Sequence, residues 1–219
     1  MYFRPANVRL REYMSQETTT DVDVDAEPPE SPISLQGTDH ITVEGTNTRE
    51  TIEFYRDLLG MPLVLSQPNL DRSELTHLFF DTGDGRLLTF FVSDERDSAE
   101  STAADPGQVH HLAFRIAAAE IDDIAEALES AGYPVSEYDR GAFHSLYTED
   151  NNGLTLELVA DKFVVPDERR GEVLATAQKH RVEDGAEYVD SEHMRAALEE
   201  LGLGIEEREI GDAPAGRGR

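Results

Sequence analysis

The sequence predicts an α+β protein built from two βαβββ modules that form a curved mixed sheet, with helices added at the C-terminal end. Three observations carry this expectation. A strand, a helix and three further strands occur twice in the same order between about Thr38 and Ala160. Within the strands, apolar and polar residues alternate with period two, so each strand has one buried face. The chain also repeats its punctuation, since Gly132-Tyr133-Pro134-Val135 echoes Gly60-Met61-Pro62-Leu63 after each helix.

The first module spans residues 38–93. Asp39-His40-Ile41-Thr42-Val43 alternates as a half-buried strand with His40 and Thr42 on its polar face. A helix follows, with Asn47 as N-cap, Glu50 as its reciprocal partner, and Ile52, Tyr55, Leu58 and Leu59 on one stripe; Gly60 closes it. Strands are expected at Pro62–Ser66, Leu75–Asp81 and Arg86–Ser93, the last two joined through Asp84-Gly85.

Residues 94–108 are polar and read as a linker to the second module, residues 109–160. His110 to Ile116 alternates as a strand, with His111 on the polar face and His110 among the core residues as a structural histidine. The helix that follows carries Ile121, Ile124, Ala125 and Leu128 and ends at Gly132. Asn152-Gly153 predicts a tight hairpin turn with positive backbone angles between the last two strands. Leu154, Leu156 and Leu158 then face the core, and Thr155, Glu157 and Val159 face the other way.

Outside the modules, residues 1–37 are acidic and marked by proline, and are expected to be a disordered tail. Residues 164–203 predict a helical extension, with helices at Pro166–His180 and Ser191–Leu201 and a cap from Asp190 or Ser191; residues 204–219 are expected to be loose. The 219-residue chain has no cysteine and a formal charge of −27, with 46 acidic against 19 basic residues, and its only lysines are Lys162 and Lys179. Such a surface repels nucleic-acid phosphates and anionic lipid, and resembles the solvated coat of proteins that work in strong brine. No apolar run is long enough to span a membrane and no signal-peptide pattern opens the chain, so a cytoplasmic location is expected.

A carboxylate on a mostly apolar strand is costly without a partner, which makes Glu157 the residue to explain. The repeat places His40 and His111 at equivalent positions on the first strands, and Glu157 opposite Thr89 on the last strands. All three leave the apolar layer on the same side. Two imidazoles and one carboxylate form the facial set that leaves positions open on Fe(II), so His40, His111 and Glu157 are the candidate metal ligands around a cup. His77, His180 and His193 fit no such constellation, and His144, on the opposite parity to Tyr147, is left open.

These residues also carry a resemblance. From Thr38 to Phe163 the chain is similar to the vicinal oxygen chelate superfamily of paired βαβββ modules, which includes glyoxalases, antibiotic-resistance proteins and extradiol ring-cleaving dioxygenases. Tyr147-Thr-Glu-Asp150-Asn-Asn-Gly153-Leu-Thr-Leu-Glu157 resembles the extradiol signature, with Asn151 in place of its proline. With Asp139-Arg140, Ser145-Leu146-Tyr147 and Val109 to Arg115, the chain is most similar to ring-cleaving dioxygenases that act on para-hydroquinones, although it has Asp39 where those relatives carry a histidine and is shorter than they are. The resemblance implies Fe(II), or Mn(II), as cofactor, and a hydroquinone or catechol-like aromatic and dioxygen as substrates. It also implies that Arg140 and Tyr147, seven residues apart, line the substrate site as catalytic residues. A homo-oligomer is an open expectation. Two alternatives stand beside this one: a glyoxalase-like metal-dependent lyase or isomerase, which usually has a fourth protein ligand where Thr89 stands, and a metal-free small-molecule binding module.

Overall fold

The computed structural model describes residues 24–100 and 104–210, so much of the expected acidic tail, three linker residues and the last nine residues lie outside the description. From Val24 to Asp39 the chain forms no helix or strand. The described chain divides into two units, one holding residues 30–164 with 204–210, the other residues 165–203 with 24–29.

The larger unit contains the expected α+β repeat. Its first module runs β1 (His40–Glu44), α1 (Thr48–Ile52), β2 (Leu63–Pro68), β3 (Thr76–Asp81) and β4 (Leu87–Val92). Its second runs β5 (Leu112–Arg115), α2 (Ile121–Ser130), β6 (Ser136–Asp139), β7 (Phe143–Glu149) and β8 (Thr155–Asp161). Each module forms a four-stranded mixed sheet, in the orders β1-β4-β3-β2 and β5-β8-β7-β6, in which the first strand lies parallel to the last. The repeat is therefore a repeat of topology as well as of sequence.

Alternation sets the two faces of each sheet. Leu78, Phe80, Leu88, Phe90 and Val92 of the first sheet share one core with Phe54 and Tyr55, and Leu112 and Leu156 of the second sheet join it. A second cluster gathers Ile121, Leu128, Leu146, Leu158 and Ala160 under α2. Burying aliphatic side chains of this size stabilises by about 1.5–3 kcal/mol each, which fixes the register of both sheets and hence the facing of every polar residue between them.

Three local features differ from expectation. Asn47 caps α1, accepting from the N–H groups of Arg49 and Glu50, but the Glu50 carboxylate accepts from Ser98 Oγ. The helix then widens into a π-helical stretch, Glu53–Leu58, which a simple 3.6-residue stripe does not foretell. The β7–β8 connection is not a two-residue hairpin: Asp150 N–H donates to Leu154 O and Gly153 N–H to Asp150 O, and only Gly153 has positive φ, at 75°. Asp150 explains the wider turn, because its Oδ1 accepts from the N–H groups of both Asn152 (2.9 Å) and Leu154 (2.8 Å).

In the smaller unit, α3 (Arg170–Glu183) and α4 (Ser191–Glu200) pack together, burying Val173 and Ala177 with Met194, Ala197 and Leu198. Asp190 caps α4 in a reciprocal box with His193. In the larger unit, residues after Gly204 return to the end of β8, where Val164 N–H donates to Glu206 O and Arg208 N–H to Lys162 O. No helix among the described residues is long and apolar enough to cross a membrane.

Candidate metal and substrate site

The second sheet collects most of the expected site on its open face. In the β7–β8 pairing Tyr147 stands directly across from Glu157, and Ala113 of β5 flanks Glu157 on the other side. His111 precedes β5 by one residue and shares the facing of Ala113, two residues on. Its Nε2 lies 3.0 Å from Glu157 Oε2, while Tyr147 Oη donates to Glu157 Oε1 at 2.5 Å. The Glu157 side chain is only 13% exposed, so its two oxygens are used by these two partners in a poorly hydrated place.

Arg140 completes the line. Its guanidinium carbon lies 5.1 Å from the centre of the Tyr147 ring and 4.8 Å from that of Tyr138. Burial pushes the Tyr147 phenol above its ordinary range, and the hydrogen bond and charge of Glu157 push it the same way; Arg140 acts in the opposite sense. Tyr147 thus stays a hydrogen-bond donor at neutral pH, held between a carboxylate and a cation.

The donor chemistry of the His111–Glu157 pair suits a divalent ion. Two ligands at right angles on an ion with bonds of about 2.1 Å lie about 3.0 Å apart, which is the separation of Nε2 and Oε2 here. His40 stands apart from them. It begins β1 in the other sheet, its side chain is 48% exposed, and its Nδ1 lies 2.6 Å from Asp39 Oδ1. Among the described residues, no three His, Asp or Glu side chains are gathered as one ion would need.

Thr89, across from Thr42 at the place equivalent to Glu157, is fully buried and its Oγ1 donates to Thr42 Oγ1 at 2.8 Å. The first sheet therefore places a satisfied hydroxyl where the second places a carboxylate. His77, on the same face of the first sheet as Thr89, has its ring centre 4.0 Å from that of Phe79 and 4.5 Å from that of Phe91. Burial, and then the neighbouring His40, lower its affinity for a proton.

Two other histidines stand outside this group, and one of them departs from its expected setting. His110, expected in the core, is exposed and its Nδ1 lies 2.8 Å from Nδ1 of His111, because the strand starts only at Leu112 and leaves His110 free of sheet parity. His144 is buried on the core face with Nε2 2.6 Å from Glu137 Oε1, a structural pairing. Tyr138, not among the residues the sequence singles out, also joins the site, and its position two residues before Arg140 is the signal in the sequence for a shared face.

The turn that leads into Glu157 is tied to the first module. Tyr55 Oη donates to Asp150 Oδ2 (2.7 Å), Asn152 Oδ1 accepts from Thr46 N–H (2.7 Å) and Thr46 Oγ1 (2.8 Å), and Asn151 Nδ2 donates to Thr51 Oγ1 (3.0 Å). A proline at position 151 would have no side-chain amide to make that last bond. Gly45 permits the approach: a Cβ there would lie 2.8 Å from Val92 Cγ1 and 3.2 Å from Asn152 Oδ1. Burial raises the Asp150 carboxyl above its ordinary range despite its hydrogen bonds, and burial with the Asp150 charge raises the Tyr55 phenol well above its own.

Residues 37–158 match the family described as the Glyoxalase/Bleomycin resistance protein/Dioxygenase superfamily, and the chain belongs to it. A Bacillus subtilis (strain 168) protein named "Putative ring-cleaving dioxygenase MhqE" is 27% identical over 132 residues, 59% of this chain and 43% of that protein. The chain thus spans less than half the length of the curated relative it matches. Among solved structures, a protein described as a "putative dioxygenase" from Bacillus subtilis subsp. subtilis str. 168 is similar with TM-score 0.48 and 25% identity, covering 57% of this chain and 40% of that one. The fosfomycin resistance protein FosX of Listeria monocytogenes, solved with Mn(II) and sulfate, is similar with TM-score 0.46 and 20% identity, covering 63% of this chain and 99% of that one.

Proposed function

We propose that the protein is a metal-dependent ring-cleaving dioxygenase acting on a hydroquinone or catechol-like aromatic, with Fe(II) as the metal and Mn(II) as the alternative. The observation that carries this reading is the continuous line His111, Glu157, Tyr147, Arg140 on one open sheet face: an imidazole and a carboxylate at ligand spacing, beside a phenol and a guanidinium. The distant similarity to a protein named for ring cleavage supports it.

His111 and Glu157 would hold the ion, with His40 as third ligand once its imidazole leaves Asp39. The metal, when bound, supplies Lewis acidity to a phenolate oxygen and an electron route between an aromatic ring and dioxygen. Arg140 favours negative charge on a nearby ring oxygen. Tyr147 holds a proton at Oη and can pass it to or take it from that oxygen. Glu157, by accepting from Tyr147, fixes the direction in which the phenol points.

The family also contains lyases and isomerases, whose chemistry needs a base. Thr89 is a poor one, being buried and bonded to Thr42. The test is to purify the protein without oxygen, load it with Fe(II), and measure dioxygen uptake with hydroquinone and catechol alongside the absorbance of a ring-opened product. Uptake with either ring supports the reading. No uptake with any dihydroxybenzene, together with isomerisation of a thiol adduct of an α-ketoaldehyde, would replace it.

A further inference from the structure

We infer that Tyr138 is a positioning residue of this site, its ring face holding the Arg140 guanidinium against Tyr147. The inference rests on the proposed function for its kinetic readout alone. Arg140 stands just beyond β6, where the backbone is fixed: its N–H donates to Phe143 O at 2.8 Å, and Gly141 N–H donates to Asp139 Oδ1 at 2.8 Å. A fixed backbone leaves four side-chain torsions to be set by contacts, so the guanidinium needs its own support.

Two rings supply it. The Arg140 guanidinium carbon lies 4.8 Å from the Tyr138 ring centre and 5.1 Å from that of Tyr147, and the two rings are 5.9 Å apart at an interplanar angle of 63°. A planar, weakly hydrated cation is drawn to the electron-rich face of a phenol ring, and two faces at different inclinations restrict its orientation more than one does. The register explains why both rings meet it. Ser136 pairs with Tyr147 and Tyr138 with Ser145, so the two tyrosines are diagonal neighbours on one face, within reach of long side chains.

The acids on either side of Tyr138 are engaged elsewhere. Glu137 lies 2.6 Å from His144 Nε2, and both oxygens of Asp139 accept from Lys162 Nζ at 2.7 Å. The sequence pattern Glu-Tyr-Asp-Arg at residues 137–140 is thus two interleaved arrangements, acids to one face and the Tyr–Arg stack to the other.

The experiment compares the full wild-type chain with Tyr138→Leu and Tyr138→Phe. One readout is the NMR resonances of the Arg140 δ protons in metal-free protein, which a ring face shifts upfield. The other is kcat and KM for hydroquinone in the Fe(II)-loaded protein. Tyr138→Leu is expected to move the Arg140 δ protons downfield and to lower kcat/KM by about ten- to a hundredfold, the range that misplacement of a positioning group produces. Tyr138→Phe, which keeps the ring face, is expected to retain both.

Unchanged Arg140 resonances in Tyr138→Leu would overturn the inference, and so would a loss that Tyr138→Phe fails to restore, since the hydroxyl would then be the acting group. If wild type takes up no dioxygen, the proposed function fails, while the resonances still decide the role of Tyr138. Should Tyr138→Leu not fold, Arg140→Lys tests the same stack from the other side: a change in the Tyr138 ring resonances supports it, and none overturns it.

Discussion

Tyr147 Oη donates a 2.5 Å hydrogen bond to Glu157 Oε1 directly across the β7–β8 pair, so the phenol and the carboxylate form one unit on the open face of the second sheet. Tyr147→Phe keeps the ring that touches Arg140 and removes only the hydroxyl. The expected outcome is full metal retention with turnover slowed by about a hundredfold, as loss of a proton-transfer group produces. Metal analysis paired with dioxygen uptake measures both, and a Phe variant at wild-type rate would remove Tyr147 from the chemistry.

Glu157→Gln preserves shape and removes the charge. Two neutral imidazoles hold a divalent ion far less well than a set with a carboxylate, so bound metal is expected to fall more than about tenfold after dialysis. Elemental analysis of wild type and variant treated together decides it. Retention equal to wild type would place the metal elsewhere.

Much of this site was legible in the sequence because strand parity is strict. Leu156 and Leu158 are buried on one face, so Glu157 had to point to the other, and Tyr147 had to stand with it. Parity said nothing reliable about His110, which lies outside β5 and instead meets His111. Nor could it give the conformation of His40, whose imidazole turns to its neighbour Asp39, a choice made by side-chain torsion rather than by register. The wider β7–β8 turn escaped for a different reason: Asn-Gly suggested the common two-residue hairpin, and the acceptor role of Asp150 outweighed that preference. Tyr55 was legible as a core residue of a helical stripe, but its hydroxyl partner lies 95 positions away, beyond any local pattern.

The clasp between Asp150-Asn151-Asn152 and the first module is expected to hold stability rather than chemistry. Asn151 is buried and bonds Thr51, so Asn151→Ala should leave the Thr51 environment short of a partner and cost about 1–3 kcal/mol. For a chain of this size that is about 2–4 °C of melting temperature per kcal/mol. Thermal unfolding in the same salt measures it, and an unchanged midpoint would make the clasp incidental.

Asp150 and Asp139 should have opposite effects on stability as pH falls. Burial holds Asp150 above the ordinary value of 3.8, so the folded state binds its proton more tightly than the unfolded state. Its contribution therefore grows as pH falls from the raised value toward about 3.8. For Asp139, burial pushes upward, but the hydrogen bond from Lys162, the Gly141 N–H bond and the Lys162 charge together outweigh it and hold the carboxyl below 3.8. Its contribution is present above about 3.8 and is lost as pH falls through the depressed value. Comparing wild type with Asp150→Asn and with Asp139→Asn from pH 7 to about 3 by denaturant titration should give differences of opposite slope, and slopes of the same sign would contradict the assignment.

The acidic coat makes the last prediction, that the folded protein needs salt. A formal charge of −27 cannot be neutralised internally when Lys162 and Lys179 are the only lysines, and among the described residues arginines such as Arg72 and Arg96 are already engaged, here on the shared carboxylate of Glu44. Like charges spread over a compact surface favour expansion, and the range of that repulsion is about 10 Å at 0.1 M salt but about 3 Å at 1 M. Wild-type protein moved from molar salt to low salt is therefore expected to lose melting temperature progressively. Potassium chloride and sodium chloride should protect alike if screening is the cause. Replacing a set of exposed acids by glutamine or asparagine, away from Glu157 and Asp150, should reduce the salt requirement without changing the midpoint at molar salt. Equal thermal stability at low and molar salt would show instead that the coat is tolerated, with hydration of the carboxylates sufficient by itself.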